Sequence, residues 1–298
     1  MFIENNKNGR KMKKVAVFLV SLCFSCSLFA FDWPQEETQA DSFYSYFGQL
    51  RGSTISSSLI FTDSSDIKSC EDGKVLTLIS EHTDDFGWFE STLGNAVILS
   101  HNDNISSVYG NIDESSVSEN ILSSTDISKG TYLGKSGNSG WQEGTSCLEF
   151  QLLDTKNSNA INPRILMPRI GRELELFIQN VTLLNKKGNS YSLNTQRNIP
   201  AGTYYIYRER QEVAVPYRTS ISLNGIAYEN ISYDTLNARN GKLCAQGNED
   251  YSVEILYPDE EKQLLGQVIL TRGRLSLSIA VINILGAVRQ VNFALNVY

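Results

Sequence analysis

The sequence predicts an all-β, mostly antiparallel chain built as two domains. Three observations carry that expectation. Short segments with period-two alternation, or rich in β-branched and aromatic residues, recur along the chain. Clusters of Gly, Asn, Asp and Ser separate them, and after residue 30 no long run repeats with the 3.6-residue period of an amphipathic helix. At 298 residues the chain is too long for one small core.

In chain order, strands are expected at 74–79, Ala96–Ser100, 148–153, 202–207, 252–256, 275–284 and Val288–Val297. Between them DSSD (63–66), NKKGNS (185–190), LNGIA (223–227) and ARNGK (238–242) read as turns, because Asn and Gly tolerate positive φ. Residues 157–171 carry loop-forming asparagines together with Pro163 and Pro168, which places the join near Pro163 and divides the chain into 31–160 and 161–298. This join is expected to be an exposed linker open to proteases.

Residues 1–30 read as a secretory signal. Lys11, Lys13 and Lys14 precede the apolar run 15–30, and Asp32, Pro34, Glu36 and Glu37 follow at once. The run is short of the roughly 20 apolar residues a spanning helix needs. Cleavage after Ala30, export to the periplasm or cell envelope, and no membrane span in the mature protein are therefore expected. Lipidation at Cys26 is disfavoured, since Cys23 stands where a lipidation motif has an apolar residue. Removing 1–30 takes Lys7, Arg10, Lys11, Lys13, Lys14 and Glu4 from totals of 26 basic and 33 acidic residues, leaving a formal charge of −11. With no basic cluster, this balance argues against nucleic acid and anionic lipid as partners.

The most specific signal lies between Gly94 and Leu153. It reads GNAVILSHNDNISSVYGNI, then ISKGTYLGKSGNSG, then SCLEFQL. These runs resemble, in order, the GNxVxIxHxxGxxTxYAHL, VxxGxxIGxxGxTG and HLHFEV runs of the lysostaphin (LytM-type) zinc peptidases. The resemblance covers roughly residues 45–160 and implies a peptidase-like antiparallel β core. The family's HxGxD motif precedes a DGxV run, which is DGKV at 72–75 here, and counting back places Thr54 at the His and Ser58 at the Asp. Asn111 falls at the histidine of YAH, and Cys147 and Glu149 at the two histidines of HLH.

That resemblance implies a lost active site. A hydrolytic zinc site needs about three N/O ligands, an open position and a base. The family uses four histidines among its five groups, and the chain has only His82 and His101. A hydroxyl is a poor ligand beside imidazole, and an amide has no useful acid or base capacity. His101 matches a family histidine outside the catalytic set. No catalytic residue, metal site or cofactor is therefore expected.

Cys147 and Glu149, two apart on a strand, share a face; with Thr54, Ser58 and Asn111 they would line the degenerate groove. Trp88 and Trp141 fall in the family's groove loops and are the ligand-contact candidates, with Phe89 beside Trp88. Phe43, Tyr44, Tyr46 and Phe47 lie before the frame and are read chiefly as core. Gly130, Gly134, Gly137 and Gly140 are turn glycines, not a phosphate loop. Asp84, Asp85 and Glu90 raise the thought of a glycosidase pair, but a charged loop around one Trp is the simpler reading.

Of the three cysteines beyond residue 30, Cys70 and Cys147 fall in the peptidase-like half and are the pair to expect if a disulfide forms; three buried thiols are the other reading. Residues 161–298 resemble a bacterial immunoglobulin-like β-sandwich, ending in a strand–turn–strand hairpin. The function implied is that of a non-catalytic envelope protein that binds peptidoglycan or regulates a cell-wall hydrolase, as degenerate relatives do. The alternatives are an active zinc endopeptidase and a purely structural β-sandwich interaction protein.

Overall fold

The computed structural model describes residues 31–80, 91–140 and 147–298. The expected signal segment with Cys26, His82, the Asp84, Asp85 and Glu90 carboxylates, Trp88, Phe89 and Trp141 lie outside the described residues. The fold is nearly all β, with antiparallel sheets.

The largest sheet runs through both halves of the chain. In spatial order its main path is Asn198–Ile199, Val288–Val297, Gly273–Ile282, Arg218–Leu223, Ile226–Arg239, Asn159–Ile161, Glu149–Asp154, Ile105–Gly110, Ala96–Ser100, Gly73–Ile79 and Asp126–Ile127, with Phe43–Ser45, Leu59–Phe61, Lys242–Gln246 and Asp250–Ser252 paired off it. Asn198–Ile199 runs parallel to its neighbour. Ala96–Ser100 and Val288–Val297 have the bounds the sequence predicts. In the second, Phe293, Leu295 and Val297 are buried while Asn292, Ala294 and Asn296 are exposed, the period of two that one solvated face imposes. Asn224–Gly225 (φ 51°, 80°) and Asn240–Gly241 (φ 50°, 76°) close two hairpins with both central residues left-handed, as type I′ turns require.

A second sheet, Ser190–Ser192, Thr182–Asn185, Gly202–Glu209 and Lys262–Leu270, faces part of the first. Leu183, Ile206 and Val268 from it share a core with Ile221, Leu277, Ile279 and Leu295 from the large sheet. The other core joins Phe61, Leu99, Tyr109, Phe150 and Leu152 to Tyr233, Leu236, Tyr251 and Leu264, so it draws on both halves of the chain.

Two expectations are corrected here. Residues 252–256 are not a strand: Asp250–Ser252 is extended, and Val253–Leu256 turns into a short helix closed by Tyr257 N–H donating to Val253 O at 2.7 Å. Nor is the join an exposed linker. Asn159–Ile161 is a strand of the large sheet, with Ala160 between Leu153 on one side and Leu236 on the other. Asn162, Pro163, Arg164 and Met167 are buried, and Asn162 Nδ2 donates to Tyr233 O at 3.0 Å. Arg164 pairs with Glu173 and lies over the rings of Phe43 and Tyr46, at 5.7 and 5.2 Å from their centroids. An Asn-Pro segment reads as loop in sequence, yet the residues just before it form a strand whose partner comes from 76 residues further on (Ala160 opposite Leu236).

Candidate functional site

The expected site positions gather around the first residues of Glu149–Asp154, which lies between Ile105–Gly110 and the short strand Leu59–Phe61. Glu149 faces Gly110 on one side and Ile60 on the other. Alternation sends Phe150 into the core against Tyr109, ring centroids 5.2 Å apart, and turns Glu149 and Gln151 to the opposite face. Ser58 immediately precedes Leu59–Phe61, and being two residues from Ile60 it is directed to the Glu149 side. Before it, Leu50–Arg51 and Thr54–Ile55 form a small hairpin in which Arg51 is directly opposite Thr54.

Of the five positions, four are buried together and one is not. Ser58 is fully buried, its hydroxyl 3.2 Å from that of Ser56. Asn111 is fully buried with φ 63°, a conformation Asn tolerates better than most residues. Its Nδ2 donates to Cys147 O at 2.6 Å, and its Oδ1 accepts from Gly140 N–H at 2.8 Å. Cys147 is 1 % exposed, with Sγ 3.6 Å from the same Nδ2. Glu149 is 2 % exposed, and its two oxygens accept from Arg51 Nη1 at 2.7 Å and Nη2 at 3.0 Å, with Gln151 Nε2 3.3 Å away. Thr54 is exposed on the hairpin.

Arg51 is the residue that sequence reasoning missed. One signal pointed to it: it is the only basic residue between Lys14 and Lys68. Beside the groove, an open cleft of about 580 Å³ is lined by Asn95, Asp113, Glu114, Lys135, Asn138 and Ser139. Asn95 Oδ1 is buried there without a hydrogen-bond partner among the described residues.

The donors present do not fit the zinc that the resemblance implies. Two hydroxyls, an amide whose N–H is given to a carbonyl, a thiol and a carboxylate already paired with a guanidinium make no tetrahedral N/O/S set. Among the described residues no group of three His, Cys, Asp or Glu is placed to hold a metal. His101 is engaged elsewhere: Nδ1 donates to Asp72 O at 2.8 Å, Nε2 accepts from the Ser107 hydroxyl at 2.7 Å, and the ring meets Phe31 edge-on.

The Cys70–Cys147 disulfide is not formed. Cys70 Sγ instead accepts from Tyr109 OH at 3.0 Å, and burial pushes its thiol up to about 12. Phe43, Tyr46 and Phe47 pack as core, whereas Tyr44 is 63 % exposed.

Residues 57–163 match the family model for peptidase family M23. A separate family model matches residues 175–298. An uncharacterised protein of Treponema pallidum (strain Nichols) is 26 % identical over 135 residues, covering 43 % of this chain and 89 % of its own. Among solved structures, one chain of the SpoIIIAH–SpoIIQ complex is similar at 18 % identity, with a TM-score of 0.35 over 46 % of this chain and 99 % of that one. A zinc-containing peptidase from Vibrio cholerae is similar at 18 % identity, with a TM-score of 0.32 over 42 % of this chain and 36 % of its own.

Proposed function

We propose that this chain, whose residues 57–163 form a peptidase M23-type domain, is a non-hydrolytic envelope protein whose groove binds peptidoglycan or a cell-wall hydrolase. One observation carries the reading: at the positions matching the family's ligands and proton carriers, all but the exposed Thr54 are buried and engaged with the protein itself. Asn111 ties Cys147 to Gly140, and Glu149 is held by Arg51. Neither arrangement supplies a nucleophilic water or a base for its proton.

What remains is a polar surface. The adjoining cleft presents amide, hydroxyl and carboxylate groups, a set suited to hydrogen-bonding a peptide backbone. Residues 161–298 we read as an immunoglobulin-like sandwich that carries the M23-type domain. Two facing sheets with a common core, and the parallel pairing of Asn198–Ile199 with the last strand, support this. Export through residues 1–30 is part of the same proposal.

Co-sedimentation with isolated peptidoglycan tests the binding half, with release of soluble peptides measured in the same tubes. Binding without release is expected. Chelator-sensitive release would overturn the non-hydrolytic reading. Absence of binding both to peptidoglycan and to hydrolases recovered by crosslinking from the envelope would overturn the binding reading.

A further inference from the structure

We infer that Arg51 is the resident cation of the groove, occupying with its guanidinium the place where a peptidase of this type would hold a metal ion. The zinc that the family implies and the donors present disagree, and the disagreement has a specific form: a side chain has taken over the positive charge.

Glu149 stands at the last ligand position of the resembled motif and is 2 % exposed. A carboxylate that far from water requires a counter-charge and filled lone pairs. Arg51 supplies both, since its two terminal nitrogens bind the two oxygens at 2.7 and 3.0 Å, the fork-on-fork geometry at which Arg surpasses Lys. The hairpin aims it there. Arg51 is directly opposite Thr54, the first ligand position, and cross-strand partners project from the same face. The Arg51 side chain therefore runs from the hairpin strand opposite Thr54 to the Glu149 carboxylate, while the buried Ser58 offers no charge of its own. A zinc ion approaching Glu149 would compete for the same two oxygens and meet a fixed positive charge.

This inference is independent of what the groove binds, and its test uses neither peptidoglycan nor a hydrolase. In the full chain, Thr54→His with Ser58→Asp gives, together with native Glu149, three zinc-type ligands. Zinc affinity is then measured by competition with a chromophoric chelator, with Arg51 kept and with Arg51→Ala added. The chain lacking Arg51 is expected to bind zinc at least about tenfold more tightly. Equal affinity in the two backgrounds would overturn the inference.

A second measurement decides the matter should the ligand-restored chains fail to fold. Arg51→Ala alone should lower the melting temperature by about 4 °C or more, and low-millimolar guanidinium should recover part of that loss relative to wild type in the same salt. Arg51→Lys, which keeps the charge and loses the fork, should fall between them. An Arg51→Ala protein as stable as wild type, or one that guanidinium does not rescue, would overturn the inference.

Discussion

Asn111 and Cys147 are joined by a 2.6 Å hydrogen bond from the side-chain amide of the first to the backbone carbonyl of the second. Because Asn111 also accepts from Gly140 N–H at 2.8 Å, and its own backbone bonds Leu93 and Gly137, this one buried residue fastens three chain segments together. A histidine has one donor and one acceptor when neutral, and proton transfer would require freeing one of them. An amide keeps both permanently in place.

Asn111→Ala should therefore destabilise the protein by about 2–4 kcal/mol, since it removes a partner from the buried Cys147 carbonyl and from the half-buried Gly140 N–H and puts Ala in a left-handed conformation. Asn111→Gly should recover the part due to backbone strain. Urea denaturation measures both. Wild-type stability in the Ala variant would mean that these bonds have no structural weight.

How far the sequence revealed this architecture depends on the range of the interactions involved. Val288–Val297 was legible because its alternation is local, and the Asn224–Gly225 and Asn240–Gly241 turns because φ preference is a property of the residue itself. Residues 252–256 were misread: a Ser-Val-Glu-Ile-Leu run alternates like a strand, while the hydrogen bond from Tyr257 N–H to Val253 O that bends it into a helix leaves no mark on hydropathy. Asn111, Cys147 and Glu149 were found through the motif frame. Arg51 was not, because its meaning comes from a partner 98 residues away. The packed join escaped for the same reason, since its strand is completed by Ile226–Arg239.

Gly48→Ala should disturb the contact between the two halves. Gly48 has φ +85°, and a Cβ there would lie 2.6 Å from Tyr233 Cδ1, while Gly48 O accepts from Tyr257 OH at 2.7 Å. Overpacking of this kind, with strain at positive φ, costs about 1–3 kcal/mol. A melting temperature unchanged from wild type would show that Tyr233 can move aside.

Residues 31–163 produced alone should not give a cooperatively folded unit. Their core would lose Tyr233, Leu236, Tyr251 and Leu264, and Asn159–Ile161 would lose the strand beside it. Far-UV circular dichroism with thermal unfolding tests this. A sharp transition in the fragment would contradict the shared core and restore the view of two separable domains.

Cys70 and Cys244 should resist thiol reagents in the native protein near pH 8 and react after unfolding, because both are buried and burial raises both thiols above the ordinary value of 9.0. The sign of the linkage follows from Cys70. Its folded value of about 12 lies above the unfolded value near 9.0, so its contribution to stability is intact below pH 9 and is lost as pH rises toward 12. Rapid native labelling of Cys70 at pH 8 would mean that its chamber opens.

Under the proposed function, the site around Asn111, Cys147 and Glu149 carries no catalytic metal chemistry, its buried polar groups being bound to one another and to Arg51. The most direct measurement is zinc content by elemental analysis, combined with an assay for cleavage of peptidoglycan peptides with and without chelator, on a single preparation of the full chain. Well under one zinc per chain and no chelator-sensitive product are predicted. One zinc per chain, together with cleavage that the chelator abolishes, would contradict the account.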